Sequence, residues 1–496
     1  MCRAGWWWRV IATTVLTALF LLGMTNRDLY AQDSGEQLDD FAADTMQVGD
    51  QLDRNGTLRH QSPGAYDAYR DAAFVPGELL VGFHNNDLHA LSTGAAAVTA
   101  AAVEQLDLRG MAYSAAGSDV TGYVVRVPTG AEWTTMEQLI QDPSVAFAVP
   151  NWIVYAADDT VSAAELDETV AAPETPFAVN DPRYVSEQWY LQRINASRSW
   201  SIAYGSDGFG GGFTEVQVAI IDSGIDVNHP EFRSRLLAGQ NYVSPGSPPD
   251  DDFGHGTHVA GLIGAVANNA AGIAGVAPKV RIDPRKVLNS QGTGSISNVS
   301  NAIRDAADAG ADVINLSLES PVPNVVMEAA VQYAFDQGVL LIAASGNQGI
   351  TTVSWPAHYD EVVAVAATTY NDARASYSNS GAQIEIAAPG GERNQSIIST
   401  WPGGVRCRDI NAAPPESDYC TSEGTSMAAA IVSGGAALIK SVRPSLTAAG
   451  IRQLLRDTAQ PLNEPITFVG SGRLDMQAAL REIMPATLKL STTTFA

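Results

Sequence analysis

From residue 180 to about 482 the chain alternates short apolar runs with segments of helical spacing, and this alternation constrains the fold more than any other feature. The runs "VQVAII", "VRID", "DVINLSL", "VLLIAAS" and "VVAVAA" are of strand length and continuously apolar or nearly so. Between and after them lie "HVAGLIGAV", "SNVSNAIRDAADAG", "VVMEAAVQYAFDQG" and "MAAAIVSGGAALIKSV". Strands apolar on both faces belong in a parallel sheet covered by helices. The pattern therefore predicts a doubly wound α/β domain, with helices on both faces of a mostly parallel sheet. In such sheets the chemistry gathers beyond the carboxyl ends of the strands.

The upstream segment reads differently. "GELLVGFH", "GYVVRVP" and "VAFAVPNWIVYA" read as strands, with "TGAAAVTAAAVEQL" and "WTTMEQLIQD" as helices between them. That order predicts a small α+β, ferredoxin-like domain over 73–157. Residues 32–72 are polar and acidic, as in a flexible lead-in. Residues 158–179 lack periodicity and read as a linker, and 483–496 as a tail. At the start, Arg3 and Arg9 flank an aromatic stretch ahead of the apolar "VIATTVLTALFLLGM", and a small residue, Ala31, follows. This is a secretory signal pattern over 1–31, with an apolar run below the ~20 residues of a spanning helix. Secretion is expected, and retention as an uncleaved anchor is the alternative. With Cys2 in the signal, Cys407 and Cys420 are left as a pair in an oxidising compartment, where a disulfide is expected. Asp and Glu number 54 against 29 Lys and Arg, for a net charge of -25. That surface repels phosphate backbones and argues against nucleic-acid binding.

Four residues fall where the chemistry of such a sheet belongs. Asp222 ends "VQVAIID". His255 stands in "DFGHGTHVAG", a glycine-rich entry to a helix. Asn347 follows a strand in "VLLIAASGNQG", and Ser426 opens "SMAAAIVSGGAALI". A Ser nucleophile needs a His base, and the His needs an acceptor that fixes its tautomer. The developing oxyanion needs donors, such as the Asn347 amide and the Ser426 backbone N–H. Each residue also has a plainer role. Ser426 can cap its helix, Asp222 and Asn347 can shape turns, and His255 with His258 can be weighed as metal ligands, although no "HExxH" occurs. "GFGGGF" at 208–213 precedes a strand and is a loop rather than a nucleotide-binding turn. No G-x-S-x-G surrounds Ser426, which argues against an α/β-hydrolase.

The stretches "AIIDSGIDVNHPEF", "GHGTHVAGLIGA", "NLSLE", "AASGNQG" and "GTSMAAA" together resemble the subtilisin-like serine proteases, the subtilases, over about 180–482. "NDPRYVSEQWYL" and "HGTHVAGLIGAVANNAAGIAGVAP" resemble the thermitase-type branch. The resemblance implies endopeptidase action on protein or peptide substrates through an acyl-enzyme on Ser426. Asp222 would orient His255, His255 would be base and then acid, and Asn347 would stabilise the oxyanion. Gly292, Thr293, Gly294, Ser317, Leu318 and Glu319 would bind substrate backbone. Residues 73–157 look like the inhibitory propeptide, with "PNWIVYA" in the cleft, and a monomer is expected. A secreted pseudo-protease that binds peptides without cutting them is the competing reading.

The branch also implies a structural calcium. Its ligands would be the side chains of Asp181, Glu231 and Asn269 and the carbonyls of Val266, Ala271 and Ile273, six oxygens in all. "PPDDDFG" at 248–254 is a candidate for a second ion. Three departures stand out: Glu231 replaces the branch's Asp, Ala430 replaces a Pro, and Glu319 replaces a Gly at the rim of the primary specificity pocket. A carboxylate there is expected to favour Lys or Arg before the scissile bond. Its alternative is a solvated side chain with broad apolar specificity.

Overall fold

The computed structural model describes residues 69–84, 104–106, 120–157, 177–204, 214–393, 395–407 and 418–484, with short pieces between 57 and 113. The signal segment, most of the lead-in, most of the linker, residues 92–103 and the tail from 485 lie outside the described residues.

The upstream segment over 73–157, called the leader for its place in the chain, is built on an antiparallel sheet. Its central strand β1 (Phe74–His84) pairs with β3 (Val120–Arg126) on one side and β4 (Val145–Ala156) on the other. The short strand β2 (Glu104–Leu106) adds to the outer edge of β3. Helix α1 (Glu132–Leu139) sends Met136 and Leu139 into a core with Leu79, Val81, Val125 and Ala148. Residues 104–106 correct the helix expected over 93–106. Pairing of Glu104 with Val124 and Leu106 with Gly122 overrides the local helical composition, as tertiary context does with weak propensities.

The larger domain holds a parallel sheet. Its strands are β5 (Gln217–Asp222), β6 (Arg281–Lys286), β8 (Val313–Leu316), β10 (Leu340–Ala344), β11 (Val362–Thr368) and β12 (Ile384–Pro389). Their spatial order is β12-β11-β10-β8-β5-β6, with the two-residue strand Gln240–Asn241 beyond β6. Val, Ile, Leu and Ala dominate these strands, apart from β6 with its buried, ion-paired Asp283, Arg285 and Lys286, and they are buried on both faces, so helices must cover both. The helices that frame the site are α2 (His255–Gly264), α3 (Ile296–Asp308), α4 (Val325–Asp336) and α5 (Thr425–Val442). Ser295 caps α3, and Asn324 caps α4 with its side-chain oxygen. Helix α5 is apolar all round and buried along most of its length, continuing unbroken through Ala430.

Two short strands complete the site's frame. β7 (Thr293–Ser295) precedes α3, and β9 (Leu318–Glu319) follows β8. The chain passes from β5 to β6 on one side, then returns to β8 on the other. The switch point therefore lies between β5 and β8, where a crevice opens at the carboxyl ends. Asp222 is the last residue of β5, and Ser317 directly follows β8. The hairpin β13 (Ile397–Thr400) and β14 (Tyr419–Ser422) was not evident from the apolar pattern. The disulfide Cys407–Cys420 joins its second strand to the connecting loop and packs on Trp401.

Candidate active site

The loop after β5 is joined to the start of α2. His255 Nδ1 lies 2.8 Å from Asp222 Oδ1 and 3.0 Å from Oδ2, with both residues fully buried. The Ser223 N–H also donates to Asp222 Oδ1, at 2.7 Å. Gly254, just before the helix, has φ +106, and a Cβ there would stand 2.2 Å from the Trp401 ring. Only glycine meets both conditions.

Asp251 is a residue that sequence reasoning missed as part of this frame. Its Oδ1 accepts from Ser223 Oγ at 2.9 Å, Phe253 N at 3.0 Å and Gly254 N at 2.9 Å. Its Oδ2 accepts from the Thr257 N–H at 2.9 Å and hydroxyl at 2.6 Å. Burial raises the Asp251 pKa, and these hydrogen bonds oppose the rise. The signal available was an acid four residues before His255, hidden among three consecutive Asp. Its neighbours are also committed: Asp250 accepts from Val227 N, and Asp252 pairs with Lys286. Among the described residues, no group of three or more His, Cys, Asp or Glu is placed to hold a metal. His258 Nε2 lies 3.0 Å from the Ile397 carbonyl, and burial pushes its pKa down to about 3.

Ser426 is the second residue of α5. Its hydroxyl donates to the carbonyl of the leader's Ala157 and lies 3.2 Å from the Ser317 carbonyl. The Ser317 hydroxyl in turn donates to the Ser426 carbonyl at 2.9 Å. Asn347 Oδ1 accepts from the Thr425 N–H at 2.9 Å and hydroxyl at 2.8 Å. Turning the amide over would set two N–H donors against each other at Thr425 N, so the orientation is determined. The buried Asn347 Nδ2 is left without a hydrogen-bond partner among the described residues. An oriented donor of this kind suits charge that develops only during a reaction.

The end of the leader lies as a strand between two cleft strands. Tyr155, Val154 and Ile153 pair antiparallel with Thr293, Gly294 and Ser295. On the other edge Ala156 faces Leu318 and Tyr155 faces Glu319. Ala156 N donates to the Gly292 carbonyl at 3.0 Å, and Ala157 N to the Ser317 carbonyl at 3.2 Å. Glu319 is buried, unlike the solvated side chain weighed for it. Its carboxylate accepts from Gln348 Nε2 at 2.6 Å and Ser354 Oγ at 2.9 Å.

Of the residues expected around calcium, Asp181, Asn269 and Glu231 are drawn together by hydrogen bonds. Asp181 and Glu231 are buried carboxylates. Burial raises both, and the charge of Asp181 raises Glu231 further. Asp181 accepts from Asn268 N and Asn269 N. Glu231, whose extra methylene separates it from the branch's Asp, accepts from Asn269 Nδ2, Ile273 N and Tyr419 OH. Asn269 Oδ1 closes a turn onto Ala271 N. Two desolvated, mutually repelling carboxylates that both bond the 268–273 loop fit a hard dication, although Asn269 would have to turn its amide to offer its oxygen.

Comparison with known proteins agrees with this geometry. Residues 214–473 match the subtilase family model. Thermitase of Thermoactinomyces vulgaris is 38% identical over 305 residues, which cover 62% of this chain and all of that protein. M-protease of Shouchella clausii is 39% identical over 334 residues, covering 67% of this chain and 80% of the relative. Among solved structures, a protease from Pseudoalteromonas arctica is 30% identical with a TM-score of 0.54, and the match covers 62% of this chain and 99% of that one. The sheet order, the Asp222–His255 pair beyond its switch point and these matches lead to one conclusion: the chain belongs to the subtilase family of serine endopeptidases.

Proposed function

We propose that this endopeptidase is a secreted precursor that acts through Ser426, Asp222 and His255, and that its first substrate is its own leader at the Ala157–Asp158 bond. One observation carries the reading: the Ala157 carbonyl rests against the Ser426 hydroxyl while its N–H bonds the Ser317 carbonyl. In this scheme Ser426 Oγ attacks the Ala157 carbonyl carbon and its proton passes to His255 Nε2. Asp222, at Nδ1, holds the ring and offsets its charge. Asn347 Nδ2 and the Ser426 N–H receive the oxyanion. The bond to Asp158 then breaks, and His255 returns the proton to the departing amine. Water, deprotonated by His255, then attacks the acyl carbon; the bond to Ser426 Oγ breaks, and His255 returns the proton to Oγ. The leader would then remain as a product-like strand, inhibiting by backbone pairing until it is removed.

Residues 73–157 are thus the inhibitory propeptide, 158–179 the processing linker and 180–482 the mature, monomeric domain. Calcium, held by Asp181, Glu231, Asn269 and the carbonyls of Val266, Ala271 and Ile273, would supply structural charge neutralisation only. The acyl-enzyme reading is tested by expressing wild type and Ser426→Ala in a protease-deficient host, with N-terminal sequencing and intact mass of both. The wild type is expected to be cut after Ala157, and the variant to accumulate as a folded, full-length precursor. A fluorophosphonate should label only the wild type. Identical trimming of both, with no labelling, leaves a peptide-binding pseudo-protease instead.

A further inference from the structure

The side chain that precedes the scissile bond faces an unusual wall. Tyr155 stands opposite Glu319 across the antiparallel pair, so their side chains share one face of the ribbon. Ala157, two residues after Tyr155, lies on that same face by strand alternation. Its neighbour across the ribbon is Ser317, two residues before Glu319. Glu319 is therefore the diagonal neighbour of Ala157.

The Glu319 carboxylate is tied down. Gln348 Nε2 holds one oxygen and Ser354 Oγ the other. Asn379 braces both partners, donating to Gln348 Oε1 at 2.8 Å and to Ser354 Oγ at 3.2 Å. The cluster presses on Gly346, the residue before Asn347. A Cβ there, at φ +104, would stand 2.5 Å from Glu319 Oε2 and 2.4 Å from Ser354 Oγ. The carboxylate thus reaches from β9 to the segment after β10, on the ribbon face that Ala157 shares. Ala157 itself is fully buried.

We propose that Glu319 closes the recess for the residue before the scissile bond and restricts that residue to Ala, Gly or Ser. A large apolar side chain would have to displace the Gln348 and Ser354 bonds or bury the carboxylate against hydrocarbon, and burying an ion without polar partners is costly. A Lys or Arg would meet a carboxylate already accepting from two donors, so pairing there gains less than with an unengaged carboxylate, and its stem needs the same room as a large apolar chain. The residue that this chain itself places there, Ala157, satisfies the restriction. The assignment rests on the proteolytic reading above and names its substrate class: peptide bonds that follow a small side chain.

The test uses the processed protein and quenched fluorescent peptides copying residues 153–162, with Ala, Ser, Leu, Phe, Lys or Arg at the Ala157 position. We expect kcat/KM for Ala and Ser to exceed the others by roughly tenfold or more, the range that one or two methylenes decide in a pocket. Glu319→Gly should raise Leu and Phe about tenfold relative to Ala. Glu319→Gln, which keeps the bulk and two polar contacts but removes the charge, should retain the wild-type ranking. Fluorophosphonate labelling of each variant establishes that its site is assembled, and Glu319→Ala replaces the glycine variant if that one fails to label. A wild-type preference for Leu, Phe, Lys or Arg overturns the assignment, as does a ranking indifferent to both truncations. Labelling with the wrong ranking overturns this assignment alone, whereas absence of labelling in the wild type overturns the proteolytic reading and this assignment with it.

Discussion

Asn347 turns its side-chain oxygen to the N–H and hydroxyl of Thr425, and its buried amide nitrogen is thereby left without a hydrogen-bond partner among the described residues, next to the Ser426 helix start. A donor held in this way has no cost of reorientation when charge appears on the substrate. Asn347→Leu should therefore lower kcat by about 10²–10³, the loss seen when one oxyanion donor is removed, with KM changed only a few-fold. Steady-state kinetics on a peptide substrate checks this. A KM effect of the same size would make Asn347 a binding residue instead.

His258 supplies a pH dependence of stability. Burial holds its folded pKa at about 3, below the ordinary value of 6.5. The unfolded chain thus binds a proton that the folded one refuses between these values. The stability is fully present above the unfolded pKa and is lost as pH falls through it toward the folded pKa. Between pH 7 and pH 5 the loss from this residue is about 2 kcal/mol. Melting of the Ser426→Ala precursor at both pH values, beside a His258→Gln version of it, measures the difference. Equal pH slopes for the two proteins would contradict it.

Calcium is expected to act on stability and not on chemistry, because Asp181 and Glu231 are separate from the Asp222–His255 pair. Ion at about a hundred times its Kd stabilises by ~2.7 kcal/mol. A chelator should lower Tm by several degrees, while kcat measured well below that temperature stays within twofold. Asp181→Asn should abolish the response to calcium.

Met427 follows Ser426 and is fully buried. A sulfoxide there would force a polar group into packed surroundings one residue from the nucleophile. Peroxide is expected to reduce kcat partially and to leave a plateau of residual activity. Met427→Ala should lose activity more slowly under the same treatment, and equal rates would place the sensitive methionine elsewhere.

The Cys407–Cys420 bridge closes a loop with a sequence separation of 13. A cross-link of that span is worth about 3 kcal/mol through the entropy of the unfolded chain. The double variant Cys407→Ser, Cys420→Ser should be destabilised by about that amount in urea unfolding. The value should be well below it if the unfolded chain already keeps the two residues close.

The sequence by itself determined the layered α/β plan, because most strands buried on both faces read as nearly continuous apolar runs and the segments between them have helical spacing. It also singled out the candidates for the chemistry: Asp222, His255, Asn347 and Ser426 each follow a strand or open a helix, and those places can be located one segment at a time. Only the tertiary structure decided how they meet. The pairing of His255 with Asp222 depends on the sheet order, which sends β6 to one side of β5 and β8 to the other. Local sequence carries no mark of that order. The same holds for β2, whose residues look helical and become a strand because β3 offers a free edge. Asp251 was hidden for a related reason: five donors from four residues find it only once the turn before α2 closes. Glu319 shows the limit most clearly. Its identity was legible as a departure, but its burial and its tie to Gln348 and Ser354 come from a segment about thirty residues further along the chain. A side chain's surroundings are a property of long-range packing, and packing is decided by the whole fold at once.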